Sequence, residues 1–265
     1  DESPALDPDY GGQFTSVKMV TLREVVRQAS ESGILFNATR LREQIESGVV
    51  DDPQFLCEGF SDFKKISGGE LIEELDGAIS KFGLDEVVVL CRSNLRANKY
   101  NQGIRQTVLF MEEQLTRGDK LMIVKNCYQF LEDIPQLEFI ANGDVAELVK
   151  IGNYEERYGL NFAQATLRFP DYDDVEIDAK IILDTLHSVS PALDKEQQRA
   201  LFEGVYADYD HITVRKKRME KVREDQYYNA LQIKYATAIT GHKSQGGQWK
   251  CVFVDNCLWR DDISM

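Results

Sequence analysis

Basic residues are in short supply: 31 Lys and Arg stand against 45 Asp and Glu, a formal net charge of −14. As an average this disfavours binding of nucleic acid by bulk charge, because phosphate binders present basic surfaces. It does not exclude a local basic groove. Histidine is scarcer still, at three, and the five cysteines (Cys57, Cys91, Cys127, Cys251 and Cys257) form no CxxC pair. A Cys/His zinc site is therefore disfavoured. Cys91 and Cys251 lie in apolar runs, and they read as reduced core thiols of a cytoplasmic protein. No apolar run approaches the roughly 18 residues a membrane helix needs, and the acidic opening "DESPALDPDY" is no signal peptide. Nowhere is there a GxxxxGK[ST] phosphate loop.

What is present is an ordinary globular composition, 43% hydrophobic and 29% charged over 265 residues, enough for one large domain or two small ones. "SVKMVTL" is strand-like, and "REVVRQASESGILFNATRLREQIESG" has mostly helical spacing, with Gly33 a break and Gly48 a stop. Residues 51–68 read as loop. A helix ending at Gly83, the buried strand "DEVVVLCRSN" and the helix "LRANKYNQGIRQTVL" follow, an order that predicts an α/β layer with a largely parallel sheet. The texture then changes. "GDKLMIVKNCY", "EFIANGDVAELVKIG", "NFAQATLRF" and "VEIDAKIILDTL" are strand-like, with a turn signal at Asn142-Gly143-Asp144. They predict a small β-barrel inserted in the α/β domain. Two helices come next, then "IKYATAIT" and "KCVFVD" as two more buried strands of the first sheet.

Between those last two strands lies "GHKSQGGQW", Gly241–Trp249. A polar turn at a strand end suits a phosphate, through its N–H groups and Lys243. His242, Lys243 and Ser244 are donors for a nucleic-acid backbone. Gly246 and Gly247 let the main chain approach a ligand, and Gln245 and Gln248 can read a sugar or a base. Chemistry alone weighs this evenly against a merely solvated turn.

The string is more specific than its chemistry. "AITGHKSQGGQW…VFVD" resembles motif V of superfamily 1 DNA helicases of the RecD-like branch, which bridges the single strand and the nucleotide. The resemblance assigns Thr240, His242 and Lys243 to the DNA and Gly246, Gly247 and Gln248 to ATP, although UvrD-like relatives usually carry Glu where Gln248 stands. "TLREVVRQASESGILFNATRLR" resembles motif IV and puts Arg27 on the γ-phosphate, as the catalytic arginine. "VVVLCRSNLRANKYN" resembles motif IVa and puts Ser93 and Asn94 on the DNA backbone, at the C-terminal sheet edge where α/β ligand sites lie. Arg92 either joins them or pairs with an acid.

The resemblance covers nearly the whole chain in family order, strongest at 225–255 and weakest at 50–80 and 150–210. It implies a leader at 1–15 and a RecA-like domain begun at 16–116 and resumed at 225–265, with helices on both faces of its sheet. An SH3-like barrel and helices would be inserted at 117–224. The expected function is the second motor domain of an ATP-dependent, 5′-to-3′ helicase. It would grip single-stranded DNA and, with Mg²⁺, complete an ATP site against a first RecA-like domain not contained in the chain. The alternative is a non-catalytic strand-binding or docking module, which the missing phosphate loop favours.

Three features stand apart. "RKKRMEKVR" at 215–223 holds six basic residues and one acid, and reads as a DNA-facing patch or, more readily, a solvated helix face. Tyr227 and Tyr228 read as core. Pro170-Asp171 and Asp178-Ala179-Lys180 superficially match a metal-dependent nuclease arrangement, but alternating charges are common on barrel strands.

Overall fold

The structure, a computed structural model, describes residues 32–48, 53–131 and 138–256. It divides between Ser67 and Gly68 into two compact units.

In the first unit, helix α1 (Gly33–Glu46) starts at the glycine expected to break it. Its N-terminus is held by hydrogen bonds: Leu35 N donates to the Ser32 hydroxyl at 3.3 Å, while Ser32 Oγ and Gly33 N donate to the Asp62 carboxylate at 2.6 and 2.8 Å. Those bonds hold the Asp62 carboxyl below the usual carboxylate range. Buried Asn37 then ties the helix to the loop, donating to Gly33 O and Leu56 O and accepting from Leu56 N. A Cβ on Gly33 would stand 2.6 Å from the Phe60 ring, so only glycine fits there.

The second unit joins a parallel sheet to a closed barrel. Its first elements are helix α2 (Leu71–Phe82), strand β1 (Val87–Cys91) and helix α3 (Asn94–Thr107). The barrel strands are β2 (Lys120–Ile123), β3 (Val145–Arg157), β4 (Leu160–Phe169), β5 (Val175–Ile182) and β6 (Leu231–Tyr235). Neighbours run antiparallel except β5 and β6, which are parallel. A parallel pair needs a long crossover, and helices α4 (Lys195–Asp208) and α5 (Arg215–Glu224) lie in it. Strands β7 (Ala238–Thr240) and β8 (Cys251–Val254) flank β1, both parallel to it.

Two expectations need correction. "IKYATAIT" is not one strand. Ala236 N still donates to Lys120 O of the barrel at 2.8 Å, whereas Thr237 O already accepts from Val89 N of the sheet at 2.9 Å. The chain changes partner within one residue, so the last barrel strand lies beyond the expected end of the insertion at residue 224. Nor, among the described residues, do helices cover both sheet faces. Val87, Val89, Cys91 and Ala238 pack against Leu75 and Ala78 of α2 and Ala97 and Ile104 of α3. Val88 and Ile239, on the opposite face, pack against Met122 and Val124 at the end of the barrel. The barrel takes the place of a second helical layer, which is why β1 is apolar on both sides. Inside it, Leu121, Ile123, Leu148, Leu167, Ile177, Ile181 and Ile233 form the larger core.

Candidate nucleic-acid interface

All three sheet strands point the same way, so their C-terminal ends share one edge. Cys91 lies beside Thr240, and Leu90 beside Val254. The ladder continues past the strands: Gly241 N donates to Cys91 O at 3.1 Å, and Asp255 N to Leu90 O at 2.9 Å. Segments remote in sequence (Arg92–Asn94, Gly241–Trp249 and Asp255) therefore leave the sheet side by side.

Ser93 caps α3 with its exposed hydroxyl, which accepts from Arg96 N at 3.3 Å and keeps its own proton to donate. Asn94 is the first residue of that helix and half-buried; Arg92 is exposed. Arg96 makes a two-pronged ion pair with Asp255, its Nη2 donating to Oδ1 at 3.0 Å, and so ties the start of α3 to the end of β8.

The Gly241–Trp249 segment is a run of turns that leads into no helix. Thr240 O accepts from Lys243 N at 2.9 Å and Ser244 N at 3.2 Å, and Gly247 N donates to Ser244 O at 3.0 Å. Gly246 has φ +87°, a conformation few side chains tolerate. At Gly247 a Cβ would stand 2.1 Å from the Trp249 indole, which packs on the seam between sheet and barrel. The glycine pair thus has an internal reason to exist, independent of any nucleotide. His242, Gln245 and Gln248 are exposed. Lys243 is half-buried, and its amine donates to Asn142 Oδ1 on the barrel's Asn-Gly turn. Burial holds its pKa below the ordinary lysine value.

The edge thus brings together Ser93, Asn94, Thr240, His242 and Lys243, with Gly246, Gly247 and Gln248 farther along the same loop. Arg27 lies outside the described residues. Four residues that shape this edge, Asn101, Arg96, Asp255 and Asn142, were not among the predicted site residues. Asn101 is buried on α3 and clamps β7, accepting from Ala238 N at 2.7 Å and donating to Ala238 O at 2.8 Å. Its signal was a polar residue in the stripe Ala97, Ile104, Val108. The Arg96–Asp255 pair and Asn142 join residues too distant for spacing to reveal.

The nuclease-like residues find other partners: Lys180 is buried and ion-paired to Glu155, and Asp178 accepts from Thr166 Oγ1. Tyr227 is core, with its ring edge-on to Phe162 at 5.2 Å. Among the described residues no three His, Cys, Asp or Glu side chains are grouped to hold a metal ion. With no phosphate loop in the sequence and no metal-holding group among the described residues, the residues present do not fit a complete Mg²⁺–ATP site. No helix among the described residues is long and apolar enough to cross a membrane. No family model matches the chain, and no curated protein does.

Proposed function

We propose that the chain binds single-stranded DNA along the C-terminal edge of its parallel sheet, as the second, RecA-like motor half of an ATP-dependent helicase. The observation that carries the reading is the convergence, at one edge, of Ser93 and Asn94 with Thr240, His242 and Lys243. Short polar donors and one lysine suit phosphate oxygens without reading sequence, which is what a motor needs. Nucleotide chemistry would depend on a partner domain that supplies the phosphate loop and metal ligands, with Arg27 and Gly246–Gln248 facing it. Closure of such a pair on ATP, and its reopening, would move the strand in 5′-to-3′ steps. The strand grip does not depend on that chemistry and is the part this chain would carry.

The test is a titration of labelled single-stranded and duplex oligonucleotides. The chain should prefer the single strand, at about micromolar affinity or weaker, in the range of sequence-independent complexes. Asn94→Ala with Thr240→Val should weaken the single-strand complex. Binding that is indifferent to both substitutions would remove the edge from the site.

A further inference from the structure

We propose that the barrel carries a base-stacking platform, the exposed pair Tyr128 and Phe139, which takes unstacked bases of a single strand held at the sheet edge. This deepens the strand-binding reading and rests on it.

The platform is built by one bridge. Cys127 and Ile140 exchange backbone hydrogen bonds at 2.9 and 2.8 Å, and both side chains point into the barrel core. The next opposed pair must then face outward. Tyr128 and Phe139 stack there on each other, ring centres 5.4 Å apart and planes 27° apart, with relative exposures of 67% and 37%. Two large rings held together above a pinned backbone are apolar surface that no described residue of the second unit covers. Offset-stacked rings leave an outer π-face, and a nucleobase is the flat group that fits it whatever its sequence.

The surroundings favour a nucleic acid over an apolar protein partner. Lys125 and Asn126, just before the bridge residue Cys127, are exposed. Lys125 also lies 6.0 Å from the Tyr228 ring. Asn126 Oδ1 accepts from Asn142 N at 2.8 Å, and Asn142 in turn holds Lys243 of the edge loop. Asn126 is two residues from Tyr128, about 7 Å along an extended chain. A continuous surface thus runs from Lys243 through Asn142 and Asn126 to the rings, cation first and aromatics after, as a strand needs for its phosphates and bases. Asp144, the acid on the same turn, is occupied by Ala141 N at 2.7 Å and the Tyr172 hydroxyl at 3.1 Å. Glu138, beside Phe139, stays solvated.

The experiment compares a labelled oligothymidylate with the same backbone made abasic. The native chain should bind the base-bearing strand at least about fivefold more tightly, the low end of one stacked base. Tyr128→Leu with Phe139→Leu keeps apolar bulk over the bridge and should bind both strands equally. Tyr128→Phe should restore the preference, and Lys243→Ala should weaken both strands alike. Native binding without a preference for bases, or a preference that survives in the double leucine variant, overturns the platform and leaves the edge reading standing. A native chain that binds neither strand overturns both. A double variant that changes only sedimentation, not the base preference, assigns the rings to contact between copies and also overturns the proposal.

Discussion

Among the described residues the parallel sheet has three strands, β7-β1-β8, while the barrel has five and closes on itself. In the barrel every strand has two neighbours, and its interior leucines and isoleucines are out of water. In the sheet, β8 leaves Val252 and Val254 exposed, and the strand ends open into polar turns. Closure removes free backbone groups and with them the places where a ligand binds. The open sheet keeps a row of strand ends, where α/β proteins place ligands. The larger buried core lies in one half and the polar strand ends in the other. The seam between them is where that division can be broken.

The largest effect is expected at the ion pair that joins α3 to the barrel entrance. Arg105 Nε and Nη2 donate to the two oxygens of Asp119 at 2.7 and 2.9 Å, with Asp119 at 2% exposure. The guanidinium also lies 4.7 Å from the Tyr235 ring. Asp119→Ala strands a buried cation and orphans Thr116 N, and should cost about 3–5 kcal/mol in denaturant unfolding. A loss below about 1 kcal/mol, the range of an exposed pair, would mean that water already screens it.

Asn101→Leu is the next step down. It leaves the N–H and C=O of Ala238 without partners in a dry site, a loss of about 2–3 kcal/mol. The comparison is sharpened by where the loss appears. Hydrogen exchange should accelerate at Ala238 and Val89 in the sheet while Ala165 in the barrel stays protected. Equal acceleration in both would show that sheet and barrel unfold as one body.

Lys234 tests the barrel side of the seam. Its amine is buried and donates to the carbonyls of Thr185 at 3.0 Å and Ser188 at 2.5 Å, and burial pulls its pKa down to about 8. The unfolded lysine titrates near 10.4. Between those values the unfolded chain binds more protons, so this residue makes stability rise with pH, by on the order of 2 kcal/mol. Burial also pushes the Tyr235 hydroxyl up to about 12, which lowers stability only above about pH 10, the ordinary tyrosine value. Lys234→Met should flatten the rise between pH 8 and 10. A variant whose stability rises over that window as the native chain's does would show that the amine is hydrated.

The legible parts of this protein were those set by local patterns. Five apolar residues in "VVVLC" announced a buried strand, Gly83 a helix stop, and Asn142-Gly143 a turn. The parallel sheet and the barrel followed from the order of such segments. The switch at Ala236-Thr237 was not legible, because a strand buried in a barrel and one buried in a sheet have the same composition. The helical layer expected on the second face was equally invisible in its absence, since Val88 needs apolar cover and does not specify its source. At the edge, the resemblance pointed to Ser93 and Lys243. It could not show that Lys243 is held by Asn142, a contact spanning 101 positions.

That contact sets the smallest effect, and the one that decides whether the edge touches phosphate. Lys243 is the edge loop's only Lys or Arg between Thr240 and Trp249, and in the folded chain its charge is held against the barrel turn. A strand must draw the amine from Asn142 or bind across both. If it contacts one phosphate, Lys243→Ala should make the dependence of log K on log salt shallower by roughly 0.7, the single-strand value per contact. Asn142→Ala frees the amine without removing its charge, so that variant should keep the native slope and bind as tightly or slightly tighter. Titrating a labelled oligonucleotide at several salt concentrations separates the cases. Equal slopes for the native chain and Lys243→Ala would mean that the lysine serves only to fasten the loop to the barrel, and the Gly241–Trp249 loop would lose its proposed phosphate contact.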